Sequence, residues 1–302
     1  MQGNNRPDAQ KLAPWVKHVP QPAAKWLSLQ PAESANTGSP SAFKMKNAAV
    51  TGATRGVGRG VAVSLAAAGY RVFATGRTIA AATVPEGVIR IPCDHTDPEQ
   101  NDEFFRRIRE EAESLDVLVN CAWGGYEQMV EDGRFTWGLP FWEQPPHRWR
   151  GMMDAGVGAA FECSARAARV MVKQRAGLIV NISFWPAKKY IGNAIYGISK
   201  AATDKMTSDM AHELRPYNVA VISLYPGLVR TEAVLEAAHA GWLDLSNSES
   251  PEYIGRVIAA LANDPNTISR SGHALVAASI GAEYSLTDVD GHVPRPLTLE
   301  EV

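Results

Sequence analysis

From about residue 46 to about residue 280 the chain alternates short apolar runs with amphipathic stretches. That alternation restricts it to repeated strand–helix units. Residues 47–51, 71–75, 88–92, 115–119, 177–182 and 219–224 read as strands, and 273–278 offers a seventh. Residues 57–68, 98–114, 157–174, 194–215 and 251–262 read as helices, the first stopped by Gly69. A strand such as 219–224, apolar throughout, suits a parallel sheet covered on both faces. The expected architecture is a single α/β domain over 44–302. It has a doubly wound parallel sheet of about seven strands, helices on both faces and a C-terminal extension.

Residues 1–43 break the pattern. Pro7, Pro14, Pro20, Pro22, Pro31 and Pro40 interrupt any long helix, and no periodicity is sustained. This segment reads as an extended or partly disordered arm. Trp15, Val16, Trp26 and Leu27 give it apolar points that could dock.

The first strand runs into Thr51-Gly52-Ala53-Thr54-Arg55-Gly56-Val57-Gly58. Glycines between a strand and a helix permit a tight turn and a close approach of backbone to a pyrophosphate. The following helix offers free N–H groups and the positive end of its dipole. Gly52, Thr54, Arg55, Gly56, Val57 and Gly58 are therefore candidate dinucleotide-binding residues, and the sheet reads as Rossmann-type. The second strand ends Ala74-Thr75-Gly76-Arg77-Thr78, without the carboxylate that would accept from a ribose 2′-OH. Arg77 and Arg55 suit a 2′-phosphate, since a guanidinium presents a planar fork of donors. NADP(H) is expected over NAD(H); the alternative for Arg77 is a solvated loop arginine.

Further motifs follow in order. Tyr196-Gly197-Ile198-Ser199-Lys200 has the form Y-x-x-x-K, and Ser183 lies 13 residues before that tyrosine. Asp94 follows the third strand, Asn120-Cys121-Ala122-Trp123 the fourth, and Pro226-Gly227-Leu228-Val229-Arg230-Thr231 the sixth. Over roughly residues 45–280 this ordered set resembles the classical short-chain dehydrogenase/reductase family. Phe141-Trp142-Glu143, the segment 211–215 and the segment 286–291 resemble its member 1 type. The resemblance implies that Asp94 contacts adenine, and that Asn120 and Ala122 belong to a variant of an N-N-A-G segment. It also implies that Pro226, Gly227, Val229 and Thr231 hold the nicotinamide end, and that Lys200 binds the nicotinamide ribose. Three positions depart from the family pattern. Cys121 stands where that segment has its second asparagine. Trp123 stands where that segment has glycine. Gly156 stands where the family has an asparagine that helps to hold a water in the proton relay.

The residue types suit carbonyl reduction. Hydride goes to carbon from the cofactor, and a proton goes to oxygen from the protein. Tyr196 and Lys200, four residues apart, share a helix face. A nearby ammonium is expected to lower the tyrosine pKa toward a working range. Ser183 can donate to the carbonyl oxygen as charge develops there.

Aromatic residues gather between residues 123 and 150, where Trp123, Tyr126, Phe135, Trp137, Phe141, Trp142 and Trp149 lie. Phe184, Trp185 and Tyr190 follow Ser183, and Tyr225 precedes the Pro-Gly segment. Trp123, Phe184, Trp185 and Tyr190 are candidate substrate contacts in an apolar pocket for a bulky carbonyl or alcohol. The alternative is that several of these rings pack a loop or a subunit contact. By resemblance 231–245 is a mobile substrate loop, with His239 and Trp242 as lesser candidates. The apolar faces of helices 157–174 and 194–215 imply a homodimer or homotetramer.

Other classes are disfavoured. A net charge of −2 offers no basic field for nucleic acid. No run of apolar residues is long enough for a membrane span, and no N-terminal apolar segment suggests a signal peptide. Cys93, Cys121 and Cys163 are widely spaced and odd in number, so they read as reduced thiols of a cytoplasmic protein. The histidines show no metal-ligand spacing, and no nucleophile elbow is present. The competing reading keeps the cofactor site but not turnover, leaving a sensor or scaffold; Gly156 is its support.

Overall fold

The computed structural model describes residues 45–126, 129–241 and 243–302. The arm read at 1–43 and the candidate Trp242 lie outside the described residues.

Strands β1 (Asn47–Thr51), β2 (Arg71–Gly76), β3 (Ile89–Pro92) and β4 (Val117–Asn120) alternate with helices α1 (Gly56–Ala67) and α2 (Pro98–Glu111). The chain then makes a short antiparallel hairpin, β5 (Val130–Glu131) and β6 (Arg134–Phe135). Helix α3 (Pro146–Met152), a π-helical stretch (Met153–Gly158) and α4 (Ala159–Gln174) follow. Next come β7 (Gly177–Ile182), α5 (Ala194–Leu214), β8 (Val219–Tyr225), β9 (Leu228–Val229), α6 (Glu232–His239) and β10 (Ser248–Glu249). Helix α7 (Pro251–Asn263), β11 (Ala274–Val276) and α8 (Ala277–Glu283) complete the order.

Seven strands form one parallel sheet in the order β11-β8-β7-β4-β1-β2-β3. The expected Rossmann-type sheet is therefore present. Because side chains alternate across a strand, each strand feeds two cores. Ala48, Val50, Val117, Val119, Leu178 and Val180 meet α1 and α7 on one face. Ala49, Leu118 and Ile179 meet Phe104 and Phe105 of α2 and Met171 of α4 on the other. The strand order reverses between β1 and β4, which opens a crevice at the carboxyl ends of the strands, where open α/β sheets bind ligands.

Three segments differ from the sequence reading. The seventh strand ends at Val276, and Ala277–Glu283 turn helical, with Ala277, Ala278 and Ile280 buried. Segment 231–245, read as a loop, contains α6. The helix expected from 157 is preceded by the π-helical stretch Met153–Gly158 and becomes α-helical at Ala159.

Candidate active site

At the end of β1 backbone geometry dominates. Gly52 has φ +65°, and a Cβ there would come within 2.7 Å of the Ala122 Cα. Thr51 Oγ1 accepts from the backbone N–H of Cys121 at 3.0 Å and of Ala122 at 3.1 Å, which clasps β1 to β4 at the strand reversal. The turn also presses on β2, where a Cβ on Gly76 would meet Thr54 Oγ1 at 2.2 Å. Arg55 and Arg77 are both exposed, Arg77 directly after β2. Asp94 lies close enough for Arg77 to favour its charge. Burial works against that charge, but hydrogen bonds from Thr96, with Arg77 and His95, hold the carboxyl below its ordinary range.

The start of α1 already holds an anionic oxygen. The Gly56 N–H donates to Glu232 Oε2 at 3.0 Å, and Arg59 pairs with Glu232 Oε1 at 3.1 Å. A carboxylate from α6 thus sits where helix dipole and free N–H groups favour phosphate. The cradle fits the phosphates of a dinucleotide. Sequence reasoning missed Glu232, because 176 residues separate it from Gly56.

Helix α5 presents the proton-handling pair. Its N-cap Asn193 accepts from the Tyr196 N–H at 3.0 Å and donates to the Trp137 carbonyl at 2.8 Å, tying the aromatic segment to this helix. Tyr196, Lys200 and Ser183 are all buried. Lys200 Nζ donates to the Ile182 carbonyl at 3.2 Å and lies 5.8 Å from the centre of the Tyr196 ring. Ser183 Oγ donates to the Lys200 carbonyl at 3.4 Å. Burial pushes the Lys200 ammonium down to about 8, against the pull of Asp204 toward the charged form.

Tyr196 differs from expectation. Its pKa is raised well above the ordinary value, first by burial and then by Tyr126, whose hydroxyl shares a 2.8 Å hydrogen bond with its own. The lowering expected from Lys200 is not among the causes that set this pKa, because rings rather than charges pack around the phenol. The Trp137, Trp123 and Tyr126 ring centres lie 5.3, 5.8 and 6.0 Å from that of Tyr196.

Two of the departures from the family pattern, Trp123 and Gly156, touch one another. A Cβ on Gly156 would come within 2.8 Å of Trp123 Cε3. The indole fills the space where a side chain at 156 would stand, and it does so against the π-helical stretch. Below it runs a buried polar ladder. Asn120 Nδ2 donates to Asn181 Oδ1 at 2.8 Å and to Ser164 Oγ at 3.0 Å, and Asn181 Nδ2 donates to Thr207 Oγ1 at 2.9 Å. Asn181, Ser164 and Thr207 escaped the sequence reading, since each is unremarkable within its own element.

The predicted aromatic lining divides. Trp123, Trp137 and Phe184 pack with Tyr196. Trp185 stands edge-on to Tyr225, 5.2 Å between centres. Tyr190, Phe135, Phe141, Trp142 and Trp149 are exposed, as is His239. In the Pro-Gly segment, the Gly227 N–H donates to Glu249 Oε2 at 2.9 Å, and burial pushes the Glu249 carboxyl up to about 7. Val229 is buried in β9, and Thr231 leads into α6. The carboxylates of Asp288 and Asp290 converge with His292, but Arg230 pairs with both acids, at 2.9 and 3.4 Å, and supplies the cluster's counter-charge. Among the described residues, no helix is long and apolar enough to cross a membrane.

Residues 46–240 match the family model described as short chain dehydrogenase. Dehydrogenase/reductase SDR family member 1 of Mus musculus is 37% identical over 262 residues, covering 80% of this chain and 82% of that relative. The Homo sapiens protein of the same name matches with the same identity, length and coverage. Among solved structures, ElxO with NADP bound is similar with a TM-score of 0.65 at 25% identity, over 77% of this chain and 97% of that one.

Proposed function

The chain belongs to the short-chain dehydrogenase family, and from that premise we propose that it transfers hydride between NADP(H) and a bulky, apolar carbonyl or alcohol. The observation that carries this reading is Tyr196 and Lys200 side by side on α5 at the ligand-binding edge of the sheet. NADPH, when bound, supplies hydride to the carbonyl carbon. Gly52, Thr54, Arg55, Gly56, Val57 and Gly58 hold its phosphates, with Arg77 and Arg55 on the 2′-phosphate. Asp94, Asn120 and Ala122 lie along the adenine and central part of the site. Pro226, Gly227, Val229 and Thr231 border the nicotinamide end.

The chain's own residues complete the reduction. The Tyr196 hydroxyl gives its proton to the carbonyl oxygen, and Ser183 donates a hydrogen bond as that oxygen gains charge. Lys200 stabilises the tyrosinate that remains until it takes up a proton. The high pKa of Tyr196 keeps it protonated for this direction. Tyr126 occupies the hydroxyl of Tyr196 and yields its place to the substrate oxygen. Trp123, Trp137 and Phe184 exclude water and face an apolar substrate. The reading of NADP(H) over NAD(H) is supported by the arginines, by the missing carboxylate after β2, and by ElxO having been solved with NADP. Phe161 and Ile198, exposed on α4 and α5, support a homo-oligomer built on these helices.

The test is NADPH consumption across a panel of bulky ketones and aldehydes, with the parent compared to Tyr196→Phe. Turnover by the parent alone supports the reading. A parent that binds NADPH but consumes no more than the variant supports the sensor or scaffold instead.

A further inference from the structure

Lys200 carries its charge in an unusual setting. Its Nζ lies 4.0 Å from the centre of the Trp123 ring, over the indole face. Among the described residues, no carboxylate lies within ion-pair distance of this buried ammonium. The nearest acid along its helix, Asp204, accepts from the Tyr225 hydroxyl and faces Lys188 Nζ at 3.7 Å. Of the three N–H donors on Lys200, one meets the Ile182 carbonyl. Lys200 also borders a small polar cavity of about 10 Å³, shared with Asn120, Trp123 and Gly156. That is the scale of one water, and Asn120, which lines it, has a buried Oδ1 without a hydrogen-bond partner.

We propose that Trp123 is a positioning residue for Lys200: its indole face keeps the buried ammonium charged in place of an ion-pair partner, and Gly156 is the space this indole requires. The proposal rests on the Tyr196–Lys200 reading above. Desolvation penalises the charged form of lysine. A cation over a tryptophan face gains more when it is buried than when it is exposed, and Lys200 is buried. The arrangement is self-consistent in sequence: a bulky ring at 123 forbids a side chain at 156, and the π-helical stretch carries the glycine that permits it. The other titratable groups facing Lys200 are Tyr196, Asp204 and Cys121. Tyr196 and the Cys121 thiol are kept neutral by burial, the thiol pushed up to about 12. Asp204 favours the same charge as the indole does.

The experiment is an NMR titration of lysines labelled at Cε in the cofactor-free protein, with the Lys200 signal assigned by its loss in Lys200→Met. In Trp123→Leu the Lys200 midpoint is expected to fall by about one pH unit, with a smaller fall in Trp123→Phe, which keeps a weaker ring. Gly156→Ala, which drives a methyl into the indole, is expected to shift the midpoint the same way, and the pair Trp123→Leu with Gly156→Ala to add little further. In turnover, the alkaline limb of kcat/KM for reduction moves down with the midpoint. A midpoint that stays put or rises in Trp123→Leu overturns the proposal; should that variant fail to fold, Trp123→Phe decides by the same criterion. The midpoints are read without turnover. A parent that consumes no NADPH therefore removes the enzyme reading and leaves this measurement to decide the role of Trp123.

Discussion

On one side of the crevice the site is made of backbone, and on the other of rings. Around Gly52, Gly56 and Gly76 main chain approaches main chain or a threonine so closely that a methyl group would collide at Gly52 and Gly76. Around Tyr196, four residues apart from Lys200, the shell is Trp123, Tyr126 and Trp137, contributed by a segment about 60 to 70 residues earlier. A backbone cradle suits a ligand of constant shape, such as a pyrophosphate. A ring shell suits exclusion of water and tolerance of different apolar substrates, and it shifts the pKa of what it encloses.

This contrast can be broken by substitutions that act on one side only. The largest effect is expected for Tyr196→Phe, with kcat lowered roughly 10²- to 10⁴-fold and NADPH affinity nearly unchanged by calorimetry. Comparable loss of cofactor binding would show that the sides are not separable. In the parent, reduction is expected to decline as pH rises through about 8, because Lys200 loses its proton there; a flat profile across that range would remove Lys200 from the chemistry. Next comes Arg77→Ala. NADPH affinity should drop roughly ten- to hundredfold, the worth of charge-assisted hydrogen bonds, with NADH little affected. Equal losses for both would place Arg77 off the 2′-phosphate.

Gly52→Ala should destabilise the fold by about 1–3 kcal/mol in denaturant unfolding, through its positive φ and the contact with Ala122. A neutral outcome would mean that the cradle is softer than its geometry implies. The smallest effect is expected for Glu232→Gln. NADPH and NADH should both bind about two- to fivefold tighter, because the carboxylate no longer competes for the α1 N-terminus. Weaker binding would make Glu232 part of the cradle rather than its competitor.

How legible each side was follows from sequence distance. The glycine turn and the Tyr196–Lys200 pair each lie within a few residues of sequence, and the apolar runs indicated a sheet covered on both faces. The contacts that tune the site are long-range: Tyr126 with Tyr196 across 70 residues, and Gly56 with Glu232 across 176. Tyr190 and Trp185 illustrate the limit. Both follow Ser183 closely, yet one is exposed and the other packs on Tyr225, because position in a loop does not set a side chain's direction.

Local chemistry in the sequence determined the sheet, the phosphate turn and the proton pair, since glycine conformations, helical spacing and strand alternation act over a few residues. Tertiary packing alone decided the state of that pair. Burial and the Tyr126 hydroxyl raise Tyr196, and the Trp123 ring lies over Lys200 in the space left by Gly156. Desolvation depends on everything that surrounds a group, and no stretch of sequence carries that information by itself.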